Sequence, residues 1–210
     1  MKSPKNYLAL GIAALAAVSG IYWFQSGERK ATGPASAVAS SVGTAVGVTK
    51  ELSTGALAAF LVKAERKPLP DIEFADGSGK AVKISQWQGR VVLINLWATW
   101  CAPCRKEMPA LAELQSKLGS KDFEVVAISI DRKGIEASSA FLKETGADAL
   151  KLYVEPSSRV LNELQALGLP ATVLVDRQGR EIGRLLGPAE WNSPEAITLI
   201  EAALAEGASG

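Results

Sequence analysis

Residues 96–109 read LWATWCAPCRKEMP. They hold both cysteines of the chain, Cys101 and Cys104, with two residues between them. Three chemistries are open to such a pair: zinc ligation, a structural staple, and reversible dithiol–disulfide exchange. The rest of the sequence discriminates among them.

The chain has 210 residues, of which 48% are hydrophobic. That is enough for one domain with a substantial core plus appendages. A net charge of +1 gives no sign of nucleic acid or another polyelectrolyte as partner. Histidine is absent altogether. Ser-His and Cys-His catalysis, His-containing zinc sites and His-based copper sites are therefore excluded. A structural zinc would need four ligands, and there is no second cysteine pair to complete it. A purely structural disulfide here would close too small a loop to stabilise much. Redox exchange is the reading that survives best, because C-x-x-C beside a βαβ pattern has its own mechanism.

The flanks supply that pattern. VVLINLWA (91–98) is a continuous apolar run, as expected of a buried central strand. From Pro103 to Leu118 the sequence turns helical, with Met108, Leu111, Ala112, Leu114 and Leu118 as its apolar stripe. Pro109 should bend this helix near its second turn. FEVVAISI (123–130) reads as the next buried strand, 135–145 as a helix, 150–154 as a short strand and 157–167 as a helix. IEFAD (72–76) with KAVKI (80–84), and ATVLVD (171–176) with REIGRLLG (180–187), read as two hairpins. An amphipathic helix over 194–206 closes the chain. The alternation argues for an α/β sandwich with a mixed sheet.

Cys101 then lies at a strand-to-helix junction. A helix N-terminus offers unpaired N–H groups and a positive dipole end, which favour thiolate over thiol. Pro103 suits the first helical turn, where no donor is lost. Cys101 is expected to be the exposed nucleophile, and Cys104, one turn in, the thiol that resolves the mixed disulfide.

The N-terminal part is different in kind. Residues 7–24, YLALGIAALAAVSGIYWF, form eighteen uncharged residues in a row. As a helix they span about 27 Å, close to the ~30 Å of a bilayer core. No small-residue cleavage site follows closely, so 1–24 reads as an uncleaved signal anchor with its transmembrane part at 7–24. Residues 25–50 read as a flexible Gly/Ser/Ala-rich linker. TGALAAFLVKAER (54–66) has a helical pattern, which gives a connecting helix over 51–68 and a catalytic domain over 69–210.

WATWCAPCRKEMPAL, with the buried strand before it and GLPATVLVD after it, resembles the TlpA-like branch of membrane-anchored thioredoxins. The resemblance runs from about Leu69 to the C-terminus. It implies a thioredoxin-like α/β fold with an N-terminal β-hairpin and a central αβ insertion, preceded by one transmembrane helix. Its implied activity is thiol–disulfide exchange by Cys101 and Cys104 without cofactor or metal. Gly168-Leu169-Pro170 matches the family's cis-proline loop, which faces the cysteine pair and would leave Leu169 free to pair with a substrate segment. Glu107 matches a carboxylate that handles the proton of the second thiol. The physical case for it is that Cys104 must lose a proton to resolve a mixed disulfide. Asn95 stands where thioredoxins proper carry a buried Asp. Trp100 is expected to shield the disulfide and offer a docking surface, and Trp97 to pack in the core. Ala102 and Pro103 put no charge between the cysteines, which leans the pair towards a reducing potential.

The resemblance further implies a bacterial inner-membrane protein with its catalytic domain in the periplasm. Its implied clients are cysteine-bearing proteins of cytochrome oxidase copper-centre assembly: a copper chaperone and the copper-binding oxidase subunit. Re-reduction would come from an integral membrane thiol reductase. Four other readings stay open at this point: apocytochrome c thiol reductase, protein disulfide oxidase, tethered copper chaperone, and inert structural adaptor.

Overall fold

The computed structural model describes residues 47–207. The expected transmembrane segment 7–24 and most of the expected linker lie outside the described residues. Among the described residues, no helix is long and apolar enough to cross a membrane.

Eight strands form one mixed sheet in the order β1-β8-β7-β4-β5-β6-β2-β3. Its centre is β4 (Val91–Trp97), buried along its whole length, with β5 (Phe123–Ser129) parallel on one side and β7 (Ala171–Val175) antiparallel on the other. Continuous apolar runs become central strands because both faces are covered. The hairpin of β2 (Glu73–Asp76) and β3 (Ala81–Lys83) reaches the sheet through the short β6 (Tyr153–Val154). β8 (Glu181–Leu186) continues the other flank. The helices are α1 (Ala102–Leu118), α2 (Gly134–Glu144), α3 (Arg159–Glu163) and α4 (Pro194–Ala205). α1 connects β4 to β5 and carries the cysteines. Met108, Leu111, Ala112 and Leu114 of its expected stripe are all buried. α1 runs unbroken through Pro109.

Two expectations need correction. The segment 51–68 is not a connecting helix. It forms two single 3-10 turns, Lys50–Leu52 and Gly55–Leu57, and then β1 (Leu61–Val62), which pairs antiparallel with β8. Tertiary pairing overrides the helical pattern here. Gly55 takes a left-handed φ of 51°. Leu57 and Phe60 turn into the core, and Phe60 packs so tightly on Gly183 that a Cβ there would lie 2.5 Å from its ring. The packed domain thus starts well before residue 69. Even the end of the expected linker is docked, since Val48 is buried and donates its N–H to Glu206. The helix expected over 157–167 is only Arg159–Glu163, because Ser158 and Gln165 on either side are left-handed, with φ of 62° and 53°.

Candidate active site

β4 delivers the cysteines to its C-terminal end. Cys101 is the N-cap of α1, in extended backbone, and its sulfur accepts the Cys104 N–H at 3.2 Å. A side-chain acceptor at this position satisfies one of the unpaired N–H groups of the first turn. The same contact favours negative charge on the Cys101 sulfur once the disulfide opens. The structure holds the pair as a disulfide with Cα atoms 5.3 Å apart. Cys101 keeps 5% of its surface exposed and Cys104 none. Cys101 is therefore the reachable sulfur, though far less exposed than a free N-cap side chain would be. Pro103 sits on the surface in the first turn.

The loop between β4 and α1 is held from outside by Asp131, which is buried at the end of β5. Its carboxylate accepts the Thr99 N–H at 3.2 Å, the Thr99 hydroxyl, and the Lys133 N–H at 2.9 Å. Burial alone would raise its pKa, but these bonds hold it below the usual carboxylate range. Within that loop Trp100 stands 69% exposed. Trp97, by contrast, is fully buried and stacks on Phe141 with centroids 4.9 Å apart.

The Leu169–Pro170 bond is cis. Pro170 is buried and its carbonyl accepts the Gly187 N–H at 2.9 Å. Leu169 is half-buried, and among the described residues its N–H and C=O have no backbone partner. That leaves an edge onto which an extended segment can add. Leu167, two residues earlier, is 91% exposed.

Glu107, one turn after Cys104 on α1, is 2% exposed. Its Oε1 accepts from Asn95 Nδ2 at 2.8 Å. Its Oε2 accepts from the Ala189 N–H at 3.2 Å and from Trp191 Nε1 at 3.3 Å. Burial pushes this carboxyl up to about 7, against the opposing pull of these three donors. Asn95 lies directly across from Thr172 in the β4–β7 ladder and donates to its hydroxyl at 3.0 Å. Sequence reasoning had Asn95 only as a missing acid. It missed Trp191, Thr172 and the Ala189 amide as parts of the site. Ala189 and Trp191 lie in GPAEW (187–191), and nothing in the spacing of that stretch or of Thr172 ties them to Glu107.

No group of three or more His, Cys, Asp or Glu side chains that could hold a metal occurs among the described residues. A cavity of about 470 Å³ lies along β1 and β8 around Lys63, Glu181 and Arg184, away from the cysteines. Trp100 and Leu167 are exposed apolar side chains, and Leu169 is half-buried.

Comparison with known proteins agrees with this geometry. The Redoxin family model matches residues 64–200. The chain is 28% identical over 121 residues to the thiol-disulfide oxidoreductase ResA of Bacillus cereus, covering 58% of this chain and 69% of the relative. A crystal structure of a thiol:disulfide interchange protein DsbE from Chlorobium tepidum superposes with a TM-score of 0.60 at 29% identity, covering 68% of this chain and 99% of that one. A solution structure of a protein disulfide isomerase from Bacteroides thetaiotaomicron gives a TM-score of 0.58 at 29% identity, covering 71% and 94%. With a disulfide pair capping α1 and a cis Leu169–Pro170 bond leading into β7, the chain belongs to the Redoxin family, as a TlpA-like thioredoxin-fold thiol–disulfide oxidoreductase.

Proposed function

We propose that this oxidoreductase works as a reductase, held at the bacterial inner membrane by residues 7–24 with its catalytic domain in the periplasm. The Cys101 thiolate attacks a client disulfide, and one client sulfur leaves as thiolate. Cys104 then attacks the Cys101 sulfur of the mixed disulfide and releases the second client thiolate. Two electrons pass from the dithiol to the client, and Cys101–Cys104 is left oxidised. Glu107 accepts the proton that Cys104 gives up, and Trp100, Pro103, Leu169 and Pro170 form the surface that seats the client segment.

The observation that carries this reading is the buried Glu107 one helical turn from Cys104, with its pKa raised to about 7. A base tuned near the working pH is what resolution by Cys104 needs. The uncharged Ala102-Pro103 pair favours the reducing direction, because a cation between the cysteines would stabilise the thiolate and each tenfold change in exchange equilibrium is about 30 mV.

The clients we infer are the cysteine pairs of a copper chaperone and of a copper-binding oxidase subunit, with an integral membrane thiol reductase restoring the dithiol. The chemistry requires no cofactor. The test is single-turnover reduction of the oxidised copper-binding domain by the reduced full chain. We expect stoichiometric reduction by the wild type, none by Cys101→Ser, and a trapped mixed disulfide with Cys104→Ser. Glu107→Gln should slow client release about 10²-fold. Reduction of apocytochrome c alone, with the copper-binding domain untouched, would overturn the client assignment.

A further inference from the structure

Every partner of Glu107 in this structure is an N–H donor: Asn95 Nδ2 on one oxygen, and the Ala189 amide with Trp191 Nε1 on the other. Such a set serves a carboxylate. It offers no acceptor to the O–H of a carboxylic acid, which needs one. Burial holds Glu107 near neutrality, so both forms are visited at ordinary pH. An unused acceptor is close: Asn95 Oδ1 is buried and has no hydrogen-bond partner. A half-turn of the planar Asn95 amide exchanges its two ends with almost no change of shape. The oxygen would then face Glu107. The amide's other contact is the Thr172 hydroxyl. A hydroxyl both donates and accepts, so that bond survives the exchange with its direction reversed.

We propose that Asn95 is a positioning residue for disulfide exchange: its amide turns with the protonation state of Glu107, giving N–H to the carboxylate and C=O to the acid. This rests on the reading of Glu107 as the proton acceptor for Cys104. The turned amide leaves its nitrogen where the unpaired oxygen now lies. The turn therefore occurs only when the Glu107 proton demands an acceptor. In this buried site the turn lets a proton arrive and depart without leaving Glu107 against a mismatched donor. The neighbouring elements add no competing charge. β4 presents Asn95, β7 presents Thr172 behind it, and the loop after β8 presents the Ala189 amide and Trp191. Among the described residues no Lys or Arg forms an ion pair with Glu107, and no neighbouring charge contributes to its shift. The titratable neighbour on α1 is Cys104, one turn earlier, and oxidation removes it from the titration.

The experiment is NMR on the oxidised full chain, labelled at asparagine side-chain nitrogen and glutamate carboxyl carbon. The chain has four asparagines, Asn6, Asn95, Asn162 and Asn192, so the amide signals are few. We expect the Glu107 carboxyl and the Asn95 amide to move with one midpoint, near 7. Contacts between the Asn95 amide protons and the Thr172 side chain should be present above that midpoint and lost below it. In Glu107→Gln the new NH2 needs the same C=O as the acid, so those contacts should be absent at every pH. Asn95→Leu, which can supply neither group, should raise the Glu107 midpoint by about one unit. If Glu107 titrates near neutrality while the Asn95–Thr172 contacts persist on both sides, the turning amide is overturned and the proton-acceptor reading stands. If Glu107 does not titrate between ~pH 5 and ~pH 9, both are overturned.

Discussion

Two glutamates are almost fully buried, Glu124 at the start of β5 and Glu107 on α1 against the middle of β4, and their surroundings could hardly differ more. Glu124, at the start of β5, meets Arg90 at 2.9 Å, Lys151 at 3.1 Å and the Tyr153 hydroxyl at 2.8 Å. Burial pushes its pKa up, but the hydrogen bonds from the Tyr153 hydroxyl and Lys151, with the charge of Lys151, outweigh burial and leave it below the ordinary value. Glu107, near the cysteines, has neutral donors only, and burial wins. One carboxylate is fixed as a charge that fastens β4, β5 and β6 together. The other is left able to change state. The contrast shows how one side chain becomes structural or chemical according to whether a cation was placed beside it.

The largest expected effect removes the changeable partner. Glu107 binds its proton more tightly folded, at about 7, than unfolded, at an ordinary 4.5. A raised carboxyl pKa gives stability that is full below ~4.5 and lost as pH rises through ~7. The difference amounts to about 3 kcal/mol. Unfolding free energy of the wild type should therefore fall across that window. Glu107→Gln should flatten the slope and be the more stable protein at ~pH 8, and a parallel slope in the variant would show that another group is responsible.

Arg90→Ala breaks the other half of the comparison. It leaves Glu124 with only the exposed Lys151 and the Tyr153 hydroxyl, and should cost about 2 kcal/mol in urea unfolding without changing exchange activity. A loss of activity at unchanged stability would mean that the two glutamate sites are coupled.

Trp191→Phe sharpens it, removing one of the three donors to Glu107 while keeping the ring's bulk. The midpoint of the activity–pH profile should move up by about half a unit to one unit. No movement would assign Trp191 to packing alone.

The smallest effect is expected at Arg105, which lies 4.5 Å above the Phe141 ring and pairs with the exposed Glu144 at 3.0 Å. Arg105→Ala should cost about 0.5–1 kcal/mol.

What could be read from the sequence follows the range of the forces involved. VVLINLW and FEVVAIS announce themselves as central strands because local composition reports burial on both faces. The cysteine pair and the GLP loop were legible as short motifs. β1 was not, because Leu61 and Val62 become a strand only by meeting β8, some 120 residues later. The Glu107 site was half-legible for the same reason. Glu107 lies within the cysteine motif, whereas Thr172 is 77 residues from Asn95 and Trp191 is 84 from Glu107. No periodicity links positions so far apart.

The measurement that bears most directly on the account is the reduction potential of Cys101–Cys104 in the full chain, equilibrated against a glutathione couple. A reductase with an uncharged dipeptide between its cysteines should give a value near or below ~−270 mV. A value near ~−120 mV would contradict it and make the protein a disulfide donor.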